Sequence, residues 1–206
     1  MLESTFKEIA GHYSADTTGI DALWKEIQAA HSHTTRRYHN LRHLEHLFSQ
    51  LLPVKEWIND WDMMVFAISY HDIVYNTLKQ DNEEKSSALA AMRLGNLPVP
   101  WDRINACRTL IMATKSHKTT PVADASFFTD ADLSILGADP DSYNQYSAQI
   151  RKEYKFYPDL AYKPGRRKVL EHFLHMDRIF KTAHFHALYE AKARQNLQAE
   201  LHALAN

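Results

Sequence analysis

His71-Asp72 closes the apolar run Met63 to Tyr70, in the segment DWDMMVFAISYHDIVYN. An ionisable pair carried into an interior by such a run must be paired, hydrogen-bonded or bound to a cation. Upstream lies Tyr38-His39-Asn40-Leu41-Arg42-His43, and downstream lies Asp130-Ala131-Asp132. On a helix His39 and His43, spaced i,i+4, would share one face, and His43 and His46, spaced i,i+3, could also be neighbours. Neutral imidazole suits zinc, iron and related ions, and carboxylate oxygen extends the set toward manganese and magnesium. His43, His71, Asp72 and Asp132 together would offer two nitrogens and two oxygens to one divalent ion, Mn, Mg, Fe, Co, Ni or Zn. Coordination positions left to water would suit hydrolysis better than a structural role.

Helical periodicity must supply the frame for these residues. Phe6, Ile9 and Ala10 mark a first helix, and Ile20, Leu23, Trp24 and Ile27 a second, with Asp16-Thr17-Thr18 as its cap. Leu44, Leu47, Phe48 and Leu51 continue as far as Pro53. Met64 to Tyr70 reads as a helix buried on most sides that delivers His71-Asp72 at its C-terminal end. Asp81 to Glu84 resembles a helix start with acids in the first turn, followed by an apolar face of Ala88, Ala91, Met92 and Leu94. A helix from Asp102 to Ala113, a loop from Thr114 to Ala125, and helices over Tyr143 to Tyr154, Arg166 to Phe180 and Ala187 to Leu204 complete the chain. Asp130 reads as a cap for a helix over Ala131 to Leu136. No segment alternates with period two, so the expectation is an all-α, single-domain helical bundle. Its metal-site core would span about 36–136 and its C-terminal helices about 140–205.

The 206 residues suit one domain with a proper core. A net charge of −1 excludes the broad cationic footprint that a polyanion requires, so no nucleic-acid partner is expected. The longest apolar run is too short to span a bilayer, and the N-terminal residues lack a basic segment followed by an apolar core. With Cys107 the one cysteine, no internal disulfide can form; it falls in the apolar pattern Ile104, Cys107, Leu110, Ile111 and reads as a buried helix residue. These features point to the cytoplasm, with no membrane partner. Among 13 histidines, His46, His172, His175, His184, His186 and His202 read as surface or hydrogen-bonded residues.

The order His, His-Asp, then a distant Asp followed by Leu resembles the HD superfamily of metal-dependent phosphohydrolases. The blocks RYHNLRHLEHLF, AISYHDIVYN, DNEEKSSA and FTDADLSILG, with IRKEY and EAKARQNLQAEL, are similar to a subgroup of predicted phosphohydrolases and cover most of the chain. The resemblance implies an all-helical HD-type domain and a small phosphorylated substrate, nucleotides included. It favours Asp132 over Asp130 as the last ligand. It also places Glu83 and Glu84 where an acid could orient water or a ligand histidine. The segment Tyr38 to His43 resembles the YHNxxH signature of cyclic-nucleotide phosphodiesterases, which implies His43 as ligand and His39 as general acid. There the pattern continues His-Asp-x-x-His, whereas this chain has Tyr75 in the last place, so a bridged second metal loses one supporting residue. His117 could meet a substrate phosphate or a second ion. Arg37 and Arg151 are the first choices for phosphate contacts, with Lys115, Lys152 and Arg194 behind them, while Arg166-Arg167-Lys168 reads as a solvated run. The alternative is a non-catalytic HD module that senses a metal or nucleotide. A di-iron oxygenase ranks last, because His117 is the one histidine between Asp72 and Asp132.

Overall fold

The computed structural model describes residues 1–205, and among them the chain is all-helical, with ten α-helices, two 3-10 helices and no strand. It divides into two compact units, Met1–Thr129 and Asp130 onward, with the boundary falling inside one helix.

In the first unit α1 (Leu2–Gly11) and α2 (Thr17–His31) run to either side of a short connection, and the Asp16 carboxylate caps α2 by accepting from Gly19 N at 2.9 Å. Next, α3 (Leu41–Leu51) passes at Pro53 into a 3-10 turn, Leu52–Trp57. Asp60 caps α4 (Trp61–Tyr70) through Met63 N at 3.1 Å. Every residue from Met63 to Tyr70 is buried, because the helix is apolar all round and neighbours surround it. Phe66 meets Phe6 edge to face at 5.4 Å, and Phe6 packs 5.4 Å from Trp24, so α1, α2 and α4 share one aromatic core. Then α5 (Asn82–Asn96) and α6 (Trp101–Ala113) follow, with Cys107 buried on α6 beside Ile104, Leu110 and Ile111 as its spacing predicts.

Two local expectations differ. The buried face of α5 is Ser86, Ser87, Ala90 and Leu94, while Met92 lies exposed. The helix is rotated away from its most apolar stripe because Ser86 Oγ accepts from Val74 N at 3.1 Å and pins the segment after α4. In addition, α7 (Ala123–Asp132) begins eight residues before the helix expected there, so Asp130 lies in its last turn. A 3-10 turn, Leu133–Gly137, follows.

In the second unit α8 (Pro140–Glu153) and α10 (Ala183–Ala205) pack on that 3-10 turn, and α9 (Asp159–Leu174) packs on α10. Gly137 lets α10 approach: a Cβ there would sit 2.7 Å from Tyr189 O. Arg166, read from sequence as solvated, is buried and holds Glu200 by two bonds of 2.8 Å, with Ser147 Oγ donating to the same carboxylate at 2.9 Å. Burial would raise the Glu200 pKa, but the Arg166 guanidinium outweighs it and lowers the pKa below its usual 4.5. That contribution is therefore complete above the ordinary glutamate range and fades as pH falls through the lowered value. Removing one partner strands a buried charge, so Arg166→Met is expected to cost about 3–5 kcal/mol in denaturant unfolding at neutral pH. The deficit should shrink in acid.

Candidate metal centre

Helix α4 delivers His71 as its C-cap residue, with His71 N donating to Ala67 O at 2.9 Å. The ring Nδ1 lies 3.0 Å from Ile68 O. A carbonyl only accepts, so the proton sits on Nδ1 and Nε2 turns outward as the electron-pair donor. Asn40 caps α3 by accepting from Arg42 N at 2.8 Å, and this sets His43 in the first helical turn. The two Nε2 atoms lie 3.2 Å apart, and each imidazole is 1% exposed. Asp72 Oδ2 lies 3.1 Å from His71 Nε2, 3.8 Å from His43 Nε2 and 4.0 Å from His39 Nε2. Asp132, the last residue of α7, falls in the second unit, which begins at Asp130. The body of α7 is anchored beside α4. Phe128 meets the His71 ring edge-on at 5.6 Å, and Asp124 accepts from Asn59 N at 2.9 Å and Asp60 N at 3.0 Å.

Two imidazole nitrogens facing each other across 3.2 Å can share one proton at most, and the Asp72 carboxylate adds lone pairs to the same space. Only positive charge makes such a meeting favourable. An ion bonded at about 2.0–2.2 Å sets adjacent ligand atoms about 3.0–3.4 Å apart, which the His43, His71 and Asp72 separations approach. Burial alone would raise the Asp72 pKa. With His71 protonated, its charge and hydrogen bond, followed by the charges of His39 and His43, hold it well below the usual carboxylate range. The donor set fits a divalent cation with nitrogen and oxygen ligands.

His39 does not share a helical face with His43, because it precedes the cap and α3 starts at Leu41. Tertiary packing places it nearby instead, ring to ring 5.6 Å from His43 and 4.4 Å from Tyr75. Tyr38 packs 5.0 Å from His39 and 4.9 Å from His43. Arg36, which flanks Tyr38 beside Arg37 and by its type could meet phosphate, is committed to backbone carbonyls. It is buried and donates to His39 O at 3.2 Å, Asp72 O at 2.6 Å and Ile73 O at 2.9 Å.

The other candidate residues stand apart from these measured contacts. Arg37 is exposed on the segment before α3. Glu83 and Glu84 lie in the first turn of α5, where Glu84 pairs with Lys115, and that ammonium lowers the Glu84 pKa. The same pair draws in the residues after α6, where His117 ends a helical turn at φ 51° and donates from N to Ala113 O at 3.1 Å. Arg151 is committed within the second unit: it binds Asp159 Oδ1 at 2.6 Å, Tyr154 O at 3.0 Å and Tyr157 O at 3.1 Å, and stacks over Tyr162. Arg194 caps the end of α9 through Leu174 O at 3.0 Å and Met176 O at 2.7 Å.

Asp130 and Asp132 have separate tasks. Fully buried, Asp130 accepts from Lys181 N at 2.8 Å, Thr182 N at 2.7 Å and Thr182 Oγ1 at 2.8 Å, so it caps the entry to α10 rather than the turn that follows it. Asp130→Asn should therefore lower stability by about 1–3 kcal/mol while retaining divalent-ion binding by calorimetry. Asp132→Asn should do the reverse. Outer partners of metal ligands are worth about 10–100-fold in affinity, so loss of a ligand should cost at least that with little change in melting. No family model, no curated protein and no solved structure matches this chain.

Proposed function

We propose that the chain is an HD-type metal-dependent phosphohydrolase acting on a small phosphorylated molecule, with nucleotides among the candidates. One observation carries the reading: the His43 and His71 Nε2 atoms, 3.2 Å apart, converge with the Asp72 carboxylate. The order of these residues in the sequence, which resembles the HD superfamily, supports it. A divalent ion bound there would supply Lewis acidity and bring the pKa of a water toward neutrality.

The remaining work falls to side chains of this chain. His43, His71 and Asp72 hold the ion, with Asp132 as the further ligand that the resemblance implies, and the Nδ1–H bond to Ile68 O keeps His71 in the ligating tautomer. His39 is more open than the two inner imidazoles, 20% exposed, and its Nε2 lies 4.0 Å from Asp72 Oδ2. His39 donates a proton to the leaving oxygen as the phosphoester bond breaks. Among the described residues, no helix is long and apolar enough to cross a membrane. A cytoplasmic enzyme without membrane or nucleic-acid partners is consistent with that and with the charge balance.

The test pairs metal content with turnover. Wild-type protein should bind a stoichiometric divalent ion that His71→Ala and Asp72→Ala lose, and should hydrolyse at least one of a panel of phosphomonoesters, nucleotides and cyclic nucleotides. Failure to bind any divalent ion under loading would end the proposal. Binding without turnover would favour a metal- or nucleotide-sensing module. His39→Ala should retain the metal and lower kcat by about 10²–10⁴-fold. Loss of metal in that variant would make His39 a ligand instead.

A further inference from the structure

His39 lies outside regular secondary structure, between the end of α2 and the Asn40 cap, so no helical ladder sets its ring. The segment after α4 that carries Asp72 to Tyr75 is equally irregular. One guanidinium joins the two. Arg36 Nη1 donates to His39 O and to Asp72 O, and Nη2 donates to Ile73 O. It also lies 5.3 Å from the Tyr75 ring centroid, and the Tyr75 ring packs 4.4 Å from the His39 imidazole with 32° between the planes. The cation fixes both backbones, and the aromatic ring supplies a wall against the imidazole.

We infer that Tyr75, braced by Arg36, is the positioning residue for His39: its ring limits where the imidazole can swing and so fixes the direction of Nε2. The packing is independent of any reaction, while its consequence for turnover rests on the phosphohydrolase reading. Each element of the brace uses chemistry that a simple substitution removes. Leucine at 75 takes away the flat wall, phenylalanine keeps it, and lysine at 36 replaces a planar fork with a point charge that cannot serve three carbonyls.

The experiment uses full-length, zinc-loaded protein with labelled histidine, and identifies the His39 ring resonance by its loss in His39→Ala. In wild type that resonance should be shifted by the ring current of a neighbouring aromatic; an unshifted resonance overturns the inference. Tyr75→Leu should move it toward the position of a free histidine. Zinc content should hold, and kcat should fall about 10–100-fold with KM little changed, the signature of misplacement rather than lost binding. Tyr75→Phe should restore the shift and most of the turnover, and Arg36→Lys should move the same resonance. Tyr75→Leu with wild-type resonance and kcat would sink the proposal, as would Tyr75→Phe as damaging as Tyr75→Leu. If wild type hydrolyses no phosphoester, the functional reading fails alone and the resonance still decides the positioning.

Discussion

Three groups rich in lone pairs, the imidazoles of His43 and His71 and the carboxylate of Asp72, meet in one place where the two imidazoles are shielded from water. Without positive charge between them the arrangement would be repulsive, and the surroundings are built to hold it. The Ile68 carbonyl leaves His71 Nε2 with its lone pair directed into the group, and the Asn40 cap starts α3 where His43 must stand. Asp124 ties the beginning of α7 to the residues that open α4, in the same unit as the group.

Irregular backbone receives similar treatment. The segments carrying His39 and Asp72 make few bonds of helical type, so their carbonyls need donors from elsewhere. Arg36 serves three of them with one buried group. Ser86 performs a smaller version of the task on Val74, donating from Oγ to its carbonyl and accepting from its N–H. A centre assembled from helix ends and the turns beside them can combine residues far apart in the chain. It depends on such braces because helical hydrogen bonding stops there.

Much of the architecture was readable from residue order. Apolar spacing located α1, α2, α3, α4 and α6, and the cap residue Asp16 took the part its type suggests. Harder to read were positions where a polar group overrides the apolar pattern. The inner face of α5 is half serine because Ser86 bonds the chain after α4, and Arg166 is interior because Glu200, Ser147 and Tyr143 meet it or its carboxylate partner. Neither partner is near in sequence. Asp130 read from sequence as a cap for the turn that follows it, and its actual partners, Lys181 and Thr182, are likewise remote in the chain.

By itself the sequence determined the helical class and which side chains are of a type that can hold a cation, because periodicity and side-chain chemistry are local properties. Only tertiary structure decided that His43 and His71 face each other, that Asp130 caps α10, and that Tyr75 and Arg36 pack about His39. Each of those facts is a distance between residues remote in the chain. Such distances follow from how helices pack and where they end, which no local pattern encodes.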